Sequence, residues 1–414
     1  MKKSTNLLEG PIFQTLMKLA LPIMGTSLIQ MAYNLIDMIW IGKLGASAVA
    51  AVGSAGMYMW LSNGISALAR MGGQVCVGQS LGSHQKQEAT NYAGATIQLG
   101  ILFGIIFGLV TFLFYQPMIG FFHLTSKEVI HQAEIYLIVT CGFVVINFLN
   151  QIYTSLMTAI GNSHHPFIAT TIGLILNIFL DPLFIFVFDM GVAGAALATI
   201  IAQGVSAIWV LIFLFGQKSI IKIKKEYLIP RLKIVLAIMS LGISPFVQTA
   251  TESLLQISFN NQLLMYGGTM AVATMAILMS IWQFITLPLL GLCQGAQPIL
   301  SYNYGARNYT RVRETFHLMF KLCLGFAMGA CILVIIFSSF FVSIFTKDAP
   351  TIHFSSWALR VFLIGAGMFG AQTACQQAFM ALGQAKVSVW MAITRKIILL
   401  IPFIYIFPYL LGET

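Results

Sequence analysis

Of the 414 residues, 58% are hydrophobic and 8% charged, with 22 Lys and Arg against 12 Asp and Glu for a formal net charge of +10. A chain this apolar is not a soluble domain, and it reads as an all-α polytopic membrane protein. The positive excess does not point to nucleic acid, because it follows alternate loops instead of forming one basic face with interleaved aromatics.

Apolar runs of spanning length are expected at about 14–40, 47–70, 91–115, 132–158, 166–188, 192–215, 234–264, 270–293, 316–345, 355–380 and 387–410. At roughly 20 residues per crossing they make eleven helices. Lys2, Lys3, Lys18 and Lys86, the central cluster from Lys218 to Lys233, and Arg307, Arg311, Arg313 and Lys386 fall on one side; Lys43, Lys127 and Lys347 are nearly all that the other side holds. That bias places the N-terminus and the linker in the cytoplasm, in a multi-pass protein of the inner or plasma membrane. No cleavable signal is expected, since the first apolar run is already long enough to span.

The chain repeats itself with a shift of 223: Pro22 falls on Pro245, Asp37 on Asn260, Gly45 on Gly268, Gln74 on Gln297 and Gly82 on Gly305. The repeat divides it into an N-terminal lobe of helices 1–6 (1–216), a basic cytoplasmic linker (217–232) and a C-terminal lobe of helices 7–11 (233–414). By this symmetry a twelfth helix is expected and absent, and truncation is the favoured reason. Internal repeats of this kind place a binding site between two lobes that rock against each other.

Polar residues inside the spans carry the functional expectation, because a carboxylate in hydrocarbon is costly unless it faces a cavity or a partner. On the first helix Gln30, Tyr33, Asn34 and Asp37 share one face. On the fifth, Asn177 precedes Asp181 by one turn, and on the sixth Thr199 and Gln203 repeat that spacing. Counted from the turns, Asp37, Asp181, Tyr136 and Thr199 all fall in the outer half of the first lobe. Such oxygens suit a small hard cation, and paired carboxylates also suit a proton, so Na+ or H+ is expected to load here. Asp189, beside the turn at Gly191, reads as interfacial.

Leu21-Pro22, Asn34-Leu-Ile-Asp37, Gly73-Gln74 through Gly82, Asn177-Ile-Phe-Leu-Asp181-Pro182, Pro245 and Gln294-Gly295 through Gly305-Ala306 together resemble the multidrug and toxic compound extrusion (MATE) transporters over essentially the whole chain. The resemblance implies two helical-bundle lobes in a V, six helices plus five here, exporting amphiphilic, often cationic compounds in exchange for Na+ or H+. It implies a cation-coupling site of Asp37, Asn177, Asp181 and Thr199 with Tyr136 close by. It also makes Pro22 look like the proline at which the family's first helix bends; a routine kink is the other reading. A carboxylate on the seventh helix is functional in some branches, so Glu252 is either a counter-ion or coupling group, or a residue satisfied by its polar neighbours. The family's aspartate of the tenth helix is missing from 355–380.

Met57, Trp60, Met279 and Trp282, on helices matched by the repeat, join Gln30, Asn34 and Glu252 as candidates for a substrate cavity, since thioethers and flat rings adapt to planar cations. Partners for Arg395 and Lys396, in the middle of the last span, stay open. Neither the seven His nor the six Cys show metal or redox spacing. No cofactor is expected beyond the coupling ion, no metal beyond Na+, and no GxxxxGK[ST] run for ATP. The expected partners are small amphiphilic cations and membrane lipids, and the protein is expected to be a monomer and not an enzyme. A lipid-linked precursor flippase is the alternative; a membrane-embedded transferase fits least, because the short loops hold no catalytic cluster.

Overall fold

The structure, a computed structural model, describes residues 6–124, 126–215 and 231–411. Nearly all of the expected linker 217–232 lies outside the described residues. Among the described residues fourteen α-helices follow one another: α1 (Ile12–Lys43), α2 (Ala46–Gly82), α3 (Lys86–Gly120), α4 (Lys127–Gly142), α5 (Val144–Ala159), α6 (His164–Pro182), α7 (Gly191–Phe215), α8 (Leu232–Gly305), α9 (Tyr309–Ile336), α10 (Ser338–Ser343), α11 (Ala349–Ile364), α12 (Phe369–Ala381), α13 (Ala385–Ile393) and α14 (Ile401–Leu411). No strand occurs among the described residues. Without water to satisfy a free backbone in the bilayer, apolar helices are the form such a sequence must take.

Among the described residues eight helical stretches are long and apolar enough to span alone, and two bent pairs, α4 with α5 at 44° and α11 with α12 at 46°, are long and apolar enough together to make one span each. The remaining expected span is α2, 37 residues long but rich in Ala, Gly and Ser. It can be less apolar than its neighbours because Met71–Gly82 is buried almost entirely by protein. α8 is two spans, Leu232–Gly268 and Met270–Gly305. They join at Gly268, whose φ of 62° a side chain would strain.

Prolines interrupt the spans without breaking them. Pro22 lies inside α1, and Ser163 Oγ donates across 3.4 Å to the Lys18 carbonyl that the proline leaves without its helical donor. Thr26 Oγ1 donates to the Pro22 carbonyl at 3.0 Å, and in the second copy Thr249 Oγ1 does the same for Pro245 at 3.0 Å.

The two halves meet along α2 and the second arm of α8, toward the end where α1 begins. There the backbones nearly touch: a Cβ on Gly82 would stand 1.9 Å from the Tyr302 carbonyl oxygen, and one on Gly305 2.0 Å from that of Gln79. Arg311 fastens the N-terminal segment across the same end, donating to the carbonyls of Leu7, Gly10 and Glu9 at 3.1, 2.9 and 3.1 Å. Toward the other end of α2, Met57, Trp60 and Leu61 are exposed.

Candidate functional site

Within the first half, α1, α2, α5, α6 and α7 enclose a cavity of about 240 Å³ lined largely by amides and hydroxyls. Polar residues line it because each of these helices turns a polar stripe inward while its apolar face meets lipid or core. Gln30 and Tyr33 enter from α1, Asn177 from α6, and Thr199 and Gln203 from α7.

Beside the cavity sits the acid pair. Asp181, on the last turn of α6, has no exposure and Asn177 is 1% exposed, and Asn177 Nδ2 donates to Asp181 Oδ1 at 3.0 Å. The carboxyls of Asp37 and Asp181 lie within hydrogen-bonding reach of each other. Tyr33, one turn before Asp37, is buried with its hydroxyl 3.4 Å from Thr199 Oγ1, and Tyr136 on α4 is buried close enough to feel both carboxyls. A π-helical turn, Leu183–Val187, follows Pro182 and widens the chain just past the aspartate. Asp37 Oδ1, Asp181 Oδ2 and Asn177 Oδ1 are buried and have no hydrogen-bond donor. Two carboxylates this close, away from water, call for a proton or a cation between them.

The other expected cavity residues are placed elsewhere. Of Gln30, Asn34, Glu252, Met57, Trp60, Met279 and Trp282, Gln30 alone lines this cavity. Met57 and Trp60 are 61% and 65% exposed near the start of α2, and Asn34 is exposed on α1. Met279 and Trp282 pack within the second half, where Trp282 stacks edge-on against Phe369 and Phe362 at 5.1 and 5.9 Å. Glu252 does not stand alone as a counter-ion: its carboxylate pairs with Lys396, which also donates to the Gln248 carbonyl at 3.0 Å. Arg395 donates to Gln372 Oε1 at 2.7 Å and lies over the Phe369 ring at 5.5 Å. Asp189 is exposed, in left-handed backbone at φ 52°.

Sequence reasoning passed over Arg70, which lines the cavity from α2. It closes the expected run 47–70 and so looked like a flank. The signal was the continuation Met71-Gly-Gly-Gln-Val-Cys-Val-Gly78, which carries no charge and puts Arg70 in mid-helix. Asn147, Asn150, Gln151 and Thr154, also lining the cavity, were passed over because α5 is helix-bent away from α4, and its facing is set by that bend. Among the described residues no group of three or more His, Cys, Asp or Glu is placed to hold a metal ion.

Fold and site define a polytopic helical membrane protein of two related halves with a polar cavity and an acid pair in the first. The chain belongs to the MatE family, whose model matches it twice, over 22–183 and 244–406, once per copy of the repeat. It is 25% identical over 412 residues to the multidrug export protein MepA of Staphylococcus saprophyticus, covering 98% of this chain and 89% of that protein. To MepA of Staphylococcus aureus (strain NCTC 8325 / PS 47) it is 26% identical over 411 residues, again covering 98% and 89%. Among solved structures, one described as the outward-facing conformation of a multidrug resistance MATE family transporter of the MOP superfamily aligns with a TM-score of 0.92 at 22% identity, covering 99% of this chain and 91% of that one. At that identity the likeness speaks for the fold. Membership places the chain among transporters and not among enzymes.

Proposed function

We propose that this protein is a secondary active multidrug exporter, which moves amphiphilic, often cationic compounds outward in exchange for Na+ or H+. The observation that carries the reading is the acid pair: carboxyls from two helices held in contact, with three buried oxygens lacking donors beside a polar cavity. The coupling ion is held by Asp37, Asp181, Asn177 and Thr199, with Tyr33 and Tyr136 excluding water. Its arrival and departure change the charge balance of α1 against α6, and a ligand that binds two conformations unequally shifts their populations. Pro22, with fewer backbone bonds to break than its neighbours, is the point where α1 yields. The halves, closed near Gly82 and Gly305, rock to expose the cavity alternately. The positive loops set the closed end in the cytoplasm, and a single chain does the work.

Drug efflux from everted vesicles, with the Na+ and proton gradients collapsed one at a time, tests this for wild type and Asp37→Asn. Export that falls when one gradient goes, and is lost in Asp37→Asn, supports the reading. Export unchanged in the variant removes the coupling site, and export driven by ATP with both gradients gone removes antiport. A lipid-precursor flippase would need several cations around a pyrophosphate; one guanidinium in about 240 Å³ falls short of that.

A further inference from the structure

A second cavity lies in the second half, away from the acid pair. The ends of α8, α9 and α12 enclose about 340 Å³ where Arg307, Arg311, Arg313 and Lys386 fall, the end that the positive loops assign to the cytoplasm. Its walls are apolar, with Tyr304 from α8, Tyr309 and Phe316 from α9, and Phe379 and Leu382 from α12. Arg313 is the one charged group among the described residues that line it. At the matching place in the first half, Val77, Leu81, Ala89, Ala93 and Leu156 pack into one core. They are the repeat's counterparts of Leu300, Tyr304, Val312, Phe316 and Ala378, and Gly161 and Gly383, both at φ 79°, fix the match of α5 to α12. Ala89 and Ala93 let the helices close up, whereas Val312 and Phe316 hold α9 off its neighbours and leave a gap.

Arg313 is exposed at the rim, and no carboxylate of the chain neutralises it. Glu252 with Lys396 is the one ion pair among the described residues, and Glu314 lies about 100° further round α9. Arg311 is not available for the same task, since its guanidinium holds the carbonyls of Leu7, Glu9 and Gly10. An apolar hole with one cation at its mouth and tyrosines beside it, at the level where bilayer meets water, matches a molecule with one anionic group and an apolar chain. The cytoplasmic leaflet supplies such molecules, because its anionic phospholipids gather at basic residues near the surface. A guanidinium grips their phosphate through parallel hydrogen bonds.

We propose that this cavity is a site for one anionic phospholipid of the cytoplasmic leaflet, with the phosphate on Arg313 and an acyl chain between Phe316, Phe379 and Leu382. The occupant fills the gap between α9 and α12 and braces the arm of α8 that forms the seam with α2. The site is separate from the polar cavity of the first half and shares with the exporter reading only the orientation taken from the loops.

Cys375 lines the cavity and is the one cysteine of six that is not buried, so its alkylation reports occupancy. Nanodiscs present both leaflets, so the reading holds whichever way the chain is inserted. N-ethylmaleimide labelling of Cys375 in the full-length protein, read by peptide mass, is expected to be about fivefold slower in phosphatidylglycerol than in phosphatidylcholine, the effect of one basic residue on an anionic lipid. In Arg313→Gln the two rates are expected to agree. A wild-type ratio near one, or a slowing that persists in Arg313→Gln and so reflects surface charge alone, overturns the proposal. Native mass spectrometry needs no thiol: released from nanodiscs of both lipids, the wild type should retain phosphatidylglycerol over phosphatidylcholine by a similar factor. Ala378→Leu fills the cavity, leaves Arg313 in place and should lose that preference; a preference it leaves unmoved puts the lipid on the surface and overturns the site. Glycerol 3-phosphate added to phosphatidylcholine nanodiscs should leave labelling unchanged, and slowing by it assigns Arg313 to a soluble phosphate ester and overturns the lipid. Each readout is taken at rest without a gradient, so it stands or falls apart from drug export.

Discussion

Gln74 Nε2 donates to Gln297 Oε1 across 3.5 Å, and the two residues are 223 apart, the period of the repeat. Each glutamine therefore meets its own counterpart, which marks the pseudo-two-fold axis between the halves. Gly78 faces Ser301 on the same line, and Gly82 against Tyr302 is mirrored by Gly305 against Gln79. The halves touch where the sequence was duplicated onto itself.

That seam admits no added atoms, because the nearest neighbours on both sides are backbone. Gly82→Ala and Gly305→Ala are each expected to cost about 1–3 kcal/mol in the closed arrangement, by comparable amounts. Melting in detergent should fall for both, and maleimide labelling of buried Cys76, read by peptide mass, should rise. Unaltered melting and labelling would show that the seam yields more freely than its contacts imply.

Asp37→Asn keeps the shape of the acid pair and removes one of its charges. Gradient-driven export is expected to drop at least about tenfold while the melting temperature holds or rises, since a repulsion is relieved. Asp181→Asn should behave alike. A variant that exports at the wild-type rate under the same gradient would refute the pairing as the coupling element.

Lys396 is 5% exposed in its side chain and Glu252 58%, so the two ends of this ion pair are unequal. Glu252→Gln strands a buried ammonium and is expected to destabilise by about 1–3 kcal/mol; Lys396→Met leaves a hydrated carboxylate and should cost less. Melting of the two variants and the double variant would reveal the asymmetry, and equal losses would contradict it.

Asp348 caps α11 from outside the membrane, accepting from the Thr351 amide at 3.1 Å and its hydroxyl at 2.5 Å. Those bonds favour the charged form and hold the carboxyl below its usual range. A carboxyl held low in the folded state contributes stability above its ordinary titration range and loses it as pH falls through the lowered folded value. The protection factor of the Thr351 amide, its exchange rate divided into the intrinsic rate at each pH, should therefore fall in acid, and Asp348→Ala should lower it at neutral pH and abolish the pH step.

Much was legible from local rules. Hydrocarbon as solvent forces spanning helices, so the eleven runs reappear, the one surprise being that α2 is too rich in small residues to look apolar; small residues are what a close crossing needs. Helical periodicity and loop parity set the depth of Asp37, Asn177, Asp181 and Thr199, and the structure gathers these side chains. Residues whose role depends on a partner two helices away were not legible. Glu252 read as a counter-ion or coupling group, or as a residue satisfied by its polar neighbours, and its pairing with Lys396 comes from another helix; Met57, Trp60, Met279 and Trp282 were assigned by chemical type, while their facing is a matter of helix rotation.

The amino-acid order alone thus determined the duplication, the spans and the height of each polar group, because those follow from a repeat of side chains along one axis and from the cost of charge in oil. Only the tertiary structure decided which polar faces enclose one cavity, that Arg70 looks into it, and that Gln74 meets Gln297, because the rotation and tilt of each helix are fixed by packing against all the others.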